Sequence, residues 1–152
     1  MSLATVRADL ARRAPELRVQ EGAASTATVA LAAQALGIPP ERVAKTLAVQ
    51  LAEPVLIVTR GDARLDNAKF KAAFGTKPRL LDGEAAIALT GHEIGGVCPF
   101  GLPSQVQVFC DISLQSFETV FPAAGSANSW LEIGPERLAG LTDATWIDVS
   151  RY

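Results

Sequence analysis

A lysine inside an apolar stretch is the first residue whose type and position suggest chemistry. Lys45 interrupts the run Val43–Leu51, which otherwise has the composition of a core strand. A lysine within such a strand must reach a cleft or pair with an acid, because an isolated buried charge is costly. At a cleft wall, its ammonium group would hold a phosphate or polarise a carbonyl. The alternative is a lysine at a strand edge whose charge is simply solvated.

A glycine-rich segment further along the chain is a second candidate. Residues 91–103 contain four glycines and two prolines, a density that breaks regular structure and exposes backbone N–H groups. The spacing matches neither the dinucleotide-binding motif nor the P-loop, so a nucleoside triphosphate site is not predicted. Adjacent Gly95 and Gly96, followed by Pro99, would let the backbone approach a ligand closely and hold N–H groups rigidly. That is the geometry of an oxyanion hole.

The same segment holds the chain's one imidazole and one of its two thiols. A Cys98 nucleophile with His92 as its base is chemically possible, although a small cysteine in a turn more often only packs. A zinc site would need His92 with both Cys98 and Cys110, at a spacing that matches no common ligand pattern. We therefore expect neither a metal ion nor another cofactor.

Composition and charge indicate one globular domain, residues 1–152. The chain is 49% hydrophobic and 20% charged, without an apolar run of membrane-spanning length or a secretory signal, so a soluble, cytoplasmic protein with reduced thiols is expected. The net charge of −2 argues against bulk electrostatic binding of nucleic acid. Residues 60–79, however, carry six basic and two acidic side chains. This +4 segment is either a solvated helix face or a patch that faces an anion.

Local patterns predict interleaved helices and strands. Caps, glycine stops and helical spacing favour helices from Leu3 to near Pro15, over Val29–Leu36 after a Thr26 or Thr28 cap, from Asp66 to Gly75, from Asp82 to Gly91 and over Pro135–Leu141. Apolar runs favour strands over Leu17–Gln20, Val43–Leu51, Val55–Thr59, Val106–Asp111, Val120–Phe121, Leu131–Ile133 and Trp146–Val149. Seven strands without strict alternation predict an α/β fold with a mixed sheet, curled or forming a partial barrel.

Four motifs occur in the order seen in a known family. They are Lys45 within Val43–Leu47, the loop Thr90–Gly101 with its sequence TGHEIGGVCPFG, the segment Asp111–Leu114 and the segment Ala124–Asn128. In this combination the chain resembles the YbaK and prolyl-tRNA synthetase-associated editing domains over nearly its whole length. The segment Ser25–Thr28 before the alanine-rich helix is similar to the freestanding prolyl-tRNA-editing branch.

The resemblance implies a trans-editing aminoacyl-tRNA deacylase. Such an enzyme hydrolyses the ester between a small non-cognate amino acid, here alanine, cysteine or 2-aminobutyrate, and the terminal adenosine of a tRNA, most often tRNA for proline. Lys45 would lie near the terminal phosphate and ribose, and the loop from Gly95 through Gly96 to Pro99 would fix the ester carbonyl. A ribose hydroxyl would assist the attacking water, so no side-chain base is required.

The resemblance also implies binding residues and partners. Motif adjacency suggests an amino-acid pocket lined by Leu47, Val97, Phe100 and Ala124, with substrate contacts from Thr26, Asp111, Gly125 and Asn128. Arg60, Lys69 and Lys71 of the +4 segment would contact the acceptor end of a mischarged tRNA, and prolyl-tRNA synthetase is a further expected partner. Two alternatives stay open: a noncatalytic module that binds tRNA or a synthetase, and a thiol hydrolase that uses Cys98.

Overall fold

The computed structural model describes residues 2–152 and contains one main sheet with helices on both faces. The helices are α1 (Ser2–Arg13), α2 (Val29–Leu36), α3 (Asn67–Phe74), α4 (Gly83–Thr90) and α5 (Pro135–Thr142). The strands are β1 (Gln20–Glu21), β2 (Val43–Val49), β3 (Val55–Arg60), β4 (Arg64–Leu65), β5 (Val108–Asp111), β6 (Phe121–Pro122), β7 (Ser129–Trp130), β8 (Thr145–Ile147) and β9 (Ser150–Arg151).

The main sheet is open and mixed, with the strand order β6-β2-β3-β5-β8. β2 and β3 form an antiparallel hairpin, whereas β6, β5 and β8 join in parallel. Two small antiparallel sheets, β1-β7 and β4-β9, complete the fold. The predicted mixed α/β fold is therefore confirmed. Within residues 2–152 there are nine strands rather than seven, and four of them belong to these two small sheets.

Both faces of the central strand β3 are covered, which explains its unbroken apolar sequence. Leu56 and Val58 face the larger core, together with Val6 and Leu10 of α1, whereas Ile57 faces a second core. That second core contains Phe70, Phe109 and Val149. A third, smaller cluster packs α2 against Val43 at the start of β2. Among residues 2–152, no helix is long and apolar enough to cross a membrane.

Helix ends follow the predicted cap chemistry. Thr28, rather than Thr26, caps α2 by accepting the Leu31 N–H at 3.1 Å. Asp66 and Asp82 cap α3 and α4 in the same way. Of the predicted strand at 131–133, only Ile133 pairs, in an isolated antiparallel bridge with Val120. The regular strand β7 lies just before it, at Ser129–Trp130, because Trp130 pairs with Gln20 of β1, which lies far away in the sequence.

Candidate active site

A pocket of about 130 Å³ lies along the outer edge of β2. The beginning of β2 pairs with β6 along this edge, and its end bonds to residues 79–81, where the Gln50 N–H donates to the Arg79 carbonyl at 2.8 Å. Between these two pairings, Lys45 and Thr46 line the pocket. The lysine is therefore neither in the sheet core nor on a fully solvated edge, because the pocket supplies the cleft that its charge requires.

Four distant segments form the pocket walls. Its lining residues are Thr26, Ala27, Thr28, Val29, Ala32 and Leu36 from the α2 region, Val43, Ala44, Lys45 and Thr46 from β2, Gly95 and Val97 from the glycine loop, and Phe121, Ala123, Ser129 and Trp130. Of the predicted site residues, Lys45, Thr26, Gly95 and Val97 thus meet at one pocket. The wall formed by Phe121, Ala123, Ser129 and Trp130 was missed. Its only sequence signal is that aromatic residues flank the motif at 124–128.

Lys45 is held at the pocket wall by the backbone. Its ammonium group is half-buried and donates a hydrogen bond to the carbonyl of Ala63. Burial lowers the pKa of this ammonium group, while the nearby carboxylate of Asp62 opposes the effect and Arg64 adds to it. Within residues 2–152, Lys45 forms no ion pair, since Asp62 is engaged by Arg60 at 2.6 Å. The cation is thus fixed in place and free to meet an anionic ligand.

The glycine loop is clamped between two other segments. A Cβ atom at Gly96 would lie 2.4 Å from the Ser126 nitrogen and 2.5 Å from the Gly125 carbonyl carbon, so only glycine fits. The Gly125 N–H donates to the Gly96 carbonyl at 2.9 Å. On the other side, a Cβ atom at Gly95 would lie 2.7 Å from that of Ala27, and Gly95 has a φ of 89°. These contacts fix the loop backbone at the pocket wall.

Some backbone N–H groups of the glycine loop already donate hydrogen bonds within the protein, and others are available to a ligand. The Gly96 N–H donates to the Glu93 carbonyl at 2.9 Å, which removes it as a donor to substrate. Pro99 has no N–H and lies buried behind the loop, beside a different groove. Gly95 and Val97 line the pocket, and neither has its N–H in a hydrogen bond within residues 2–152. Among the described residues, the loop N–H groups left available at the pocket are therefore those of Gly95 and Val97, and neither Gly96 nor Pro99 supplies one.

Other predicted substrate contacts lie outside the pocket. Leu47 packs against the second core, since alternation along β2 turns it to the face that carries Val49. The Phe100 side chain is fully buried in the main core, and Ala124 is fully buried there as well. The Asp111 carboxylate is buried and accepts from the Val149 N–H at 2.8 Å and from two other donors. The predicted pocket lining by Leu47, Phe100 and Ala124, and the substrate contact by Asp111, are therefore corrected.

Two further predicted residues support the pocket from behind. Asn128 donates from its side-chain amide to the Gly22 carbonyl at 2.8 Å and so ties the segment before Thr26 to the segment after Gly125. The Thr26 N–H donates to the Ala127 carbonyl at 2.7 Å. Gly125 and Asn128 thus position the walls and do not line the pocket.

The three predicted tRNA-binding cations are in different environments. Arg60 forms a bidentate pair with Asp62 and stacks on Tyr152, with its guanidinium carbon 3.9 Å from the ring centroid. Lys69 donates to Asp148 at 3.1 Å and to the Ser150 carbonyl. Lys71 is exposed, and within residues 2–152 it has no ion-pair partner. Two of the three charges are thus already balanced by acids of the chain.

A larger groove, about 960 Å³, separates α1 from the segment 99–108. Its cations are Arg12 and Arg13, and both are paired with Asp9. The Asp9 carboxylate also accepts the Gly101 N–H at 2.8 Å, which anchors the back of the loop to α1. Size alone favours this groove, but its charges are satisfied internally. The smaller pocket contains the ammonium group of Lys45, which has no ion pair within residues 2–152, and the available N–H groups of Gly95 and Val97.

Thiol chemistry does not fit the geometry around Cys98. The Cys98 side chain is fully buried, and burial raises the pKa of its thiol to about 12. The His92 Nε2 atom lies 2.7 Å from the Phe100 carbonyl oxygen, and a carbonyl can only accept, so Nε2 carries the proton. The same nitrogen is the one 3.5 Å from the Cys98 sulfur and therefore cannot take up a proton from it. His92 and Cys98 are core residues.

His92 is expected to make folding stability depend on pH below neutrality. Burial lowers the pKa of its imidazole from the ordinary value of 6.5. Above that value, the ring is neutral in both states and contributes no pH dependence. As the pH falls through 6.5, the unfolded chain takes up a proton that the folded chain does not, so the free energy of unfolding decreases.

Urea unfolding measured from pH 7.5 to 5.5 tests this prediction. His92 is the only histidine in the chain, so the decrease should largely disappear in His92→Gln, whose amide can still donate to the Phe100 carbonyl. If the free energy of unfolding depends equally on pH in wild type and His92→Gln, then the imidazole of His92 has the same pKa in the folded and unfolded chains.

Comparison with known proteins places these features in a family. The profile of the aminoacyl-tRNA editing domain matches residues 23–141. The uncharacterized protein YwhH of Bacillus subtilis is 44% identical over 154 residues, which cover 99% of this chain and 98% of YwhH. EbsC of Enterococcus faecalis, a candidate Cys-tRNA(Pro)/Cys-tRNA(Cys) deacylase, is 29% identical over 121 residues, which cover 78% of this chain and 74% of EbsC.

A solved structure agrees over the whole chain. It is described as a candidate trans-editing enzyme for prolyl tRNA synthetase and superposes with a TM-score of 0.89 and 31% identity, covering 99% of this chain and 98% of that one. The matched profile covers far more than half of the 152 residues and includes every segment of the pocket. The chain belongs to the aminoacyl-tRNA editing domain family.

Proposed function

We propose that this protein is a trans-editing aminoacyl-tRNA deacylase that removes alanine, cysteine or 2-aminobutyrate from mischarged tRNA for proline. The observation that carries the proposal is the pocket itself, where a free ammonium group, available backbone N–H groups and a small apolar wall meet. Family membership supports hydrolysis of an aminoacyl ester. The names of EbsC and of the matched trans-editing structure support tRNA for proline as acceptor and prolyl-tRNA synthetase as a partner. We place this activity in the cytoplasm.

The reaction assigns one task to each group. The Lys45 ammonium would hold the phosphate and ribose of the terminal adenosine. The N–H groups of Gly95 and Val97 would donate to the ester carbonyl oxygen and stabilise the negative charge that develops there. Water would add to the carbonyl carbon, the bond to the ribose oxygen would break, and that oxygen would leave with a proton.

The lining contains no carboxylate, imidazole or thiol. The proton from water must therefore be relayed by the substrate or by further water, which agrees with assistance from a ribose hydroxyl. Among the described lining residues, Lys45 is the one ionisable side chain. A mechanism of this kind depends on positioning and electrostatics more than on a general base.

The pocket wall gives a reason for selecting small side chains. Ala27, Ala32, Ala44 and Ala123 contribute only methyl groups to the lining, which also includes the aromatic residues Phe121 and Trp130. One methylene is worth only about 1–3 kcal/mol in a synthetase pocket, so smaller amino acids escape the first selection and need a second site. A pocket of about 130 Å³ can admit them and exclude bulkier residues.

Release of labelled amino acid from tRNA for proline tests the function. The tRNA is charged separately with alanine, cysteine, 2-aminobutyrate and proline. We expect rapid loss of at least one small ester and slow loss of the prolyl ester. Lys45→Ala, prepared in parallel, should lose this activity. Cys98→Ser should keep its activity, and its inactivation would favour the thiol hydrolase. Saturable tRNA binding without hydrolysis of any ester would favour the noncatalytic module.

A further inference from the structure

Two arginines face each other next to the pocket without an acid between them. Arg64 of β4 and Arg151 of β9 are directly opposite in the antiparallel register of the small β4–β9 sheet. Side chains at such positions lie on the same face with Cβ atoms about 5 Å apart, and like charges there are destabilising. Both residues are exposed. Within residues 2–152, neither forms an ion pair or a side-chain hydrogen bond.

Four acids of this region are engaged by other partners. Asp62 pairs with Arg60 at 2.6 Å, and Asp148 pairs with Lys69 at 3.1 Å. Asp66 accepts the Lys69 N–H as the cap of α3, and Asp111 is buried with three donors. Within residues 2–152, neither guanidinium group therefore has an ion-pair partner that would offset their repulsion. An external anion would relieve it.

One member of the arginine pair, Arg64, lies near Lys45 at the pocket wall. Ala63, whose carbonyl accepts the Lys45 ammonium, directly precedes Arg64 in the chain. The two cations are close enough that the charge of Arg64 acts on Lys45. Arg64 thus connects the Lys45 wall, through Ala63, to its cross-strand partner Arg151. By contrast, Arg60 and Lys69 of the same +4 segment have their charges balanced.

We propose that Arg64 and Arg151 together bind the phosphodiester backbone of the single-stranded 3′ end of tRNA, just before the terminal adenosine. This assignment deepens the proposed function and rests on it. Planar guanidinium groups bind phosphate oxygens through paired N–H donors, and two of them on one face can hold adjacent phosphates or clamp one. Lys45 then meets the terminal nucleotide, and the arginine pair sets the path of the strand that leads to it.

The test compares Arg64→Gln/Arg151→Gln with a control of equal charge change. The control is Arg12→Gln/Arg137→Gln, whose side chains are exposed on α1 and α5. On mischarged tRNA, the first double variant should raise KM roughly tenfold at low salt and leave kcat nearly unchanged. The slope of log kcat/KM against log salt should become less negative by about 1.4, since each single-strand phosphate contact contributes about 0.7. The control should retain the wild-type slope.

Two further measurements separate this proposal from the function on which it rests. An aminoacyl ester of adenosine carries no phosphate, so its hydrolysis should be the same in wild type and Arg64→Gln/Arg151→Gln. Anisotropy of a labelled RNA oligonucleotide ending in CCA measures the phosphate contact even when no ester is hydrolysed. Weaker binding by the arginine variant alone would support the site. Equal binding, or no binding by wild type, would overturn it whatever the enzymatic result.

Stability and a free anion give the remaining controls. Because the pair is repulsive, Arg64→Gln/Arg151→Gln should unfold at the same or a higher urea concentration than wild type. A loss of stability would indicate a structural role instead. Inorganic phosphate should raise the melting temperature of wild type more than that of the variant. If that difference appears while oligonucleotide binding is unchanged, the pair binds free phosphate and the assignment to RNA is wrong.

Discussion

Lys45→Met is expected to lower kcat for ester hydrolysis by roughly 100- to 1000-fold while leaving the protein at least as stable as wild type. The rate falls because a preorganised charge at the reacting group is lost, an effect of that order when one electrostatic donor is removed. Stability is kept because burial lowers the pKa of the Lys45 ammonium, which means that the folded protein holds this charge at a cost. Methionine keeps the length of the stem and removes the charge.

The measurement pairs single-turnover hydrolysis with urea unfolding. Lys77→Met is the matched control, since Lys77 is an exposed lysine near the far end of the β2–β3 hairpin. Lys77→Met should change neither the single-turnover rate nor the stability to urea. A Lys45→Met protein that hydrolyses at the wild-type rate would remove the ammonium from the mechanism. A protein that loses both activity and stability would make Lys45 a structural residue.

Gly96→Ala is expected to destabilise the fold by about 3 kcal/mol and to abolish hydrolysis even in the fraction that stays folded. The new methyl group would lie 2.4–2.7 Å from backbone atoms of Gly125 and Ser126, and a backbone cannot move aside as the end of a flexible side chain can. Separation of the two segments would also break the bond from the Gly125 N–H to the Gly96 carbonyl. The loop that presents Gly95 and Val97 would then shift at the pocket wall.

Gly140→Ala, in contrast, is expected to stabilise the protein. Gly140 lies inside α5, and an added Cβ would meet nothing within 4 Å. Alanine should therefore stabilise this helix by about 0.5–1 kcal/mol. Thermal unfolding and hydrolysis of both variants check the pair. If Gly96→Ala is as stable as wild type, then the glycine loop and the segment at Gly125 and Ser126 are less tightly packed than these distances indicate.

Local chemistry made most of the helices predictable from the sequence. Asp66 and Asp82 accept N–H groups three residues ahead, and Gly75 and Gly91 end the same helices, so each signal and its effect lie within one short segment. The short strands were less predictable. β7 and β9 are two residues long and owe their positions to distant partners, which no local pattern reports.

The candidate site was predictable where one motif supplies one wall. Lys45, Thr26, Gly95 and Val97 meet at the pocket because the strand, the segment before α2 and the glycine loop converge there. The inference that neighbouring residues of one motif line the same pocket was wrong for Phe100, because the chain turns into the core after Val97. Motif adjacency also could not predict the arginine pair, because Arg151 lies outside the basic segment that contains Arg64.

The clamping of the glycine loop by Ala27 and Gly125 has a kinetic consequence. The bond from the Thr26 N–H to the Ala127 carbonyl spans about two-thirds of the chain, and the walls of the pocket come from residues 26 to 130. Contacts of such high sequence separation close large loops, and they form late in folding. During synthesis, the residues of α1, α2 and the β2–β3 hairpin emerge before those that complete the pocket. The proposed hydrolysis would therefore require the final long-range contacts, and incompletely folded chains would be inactive on charged tRNA.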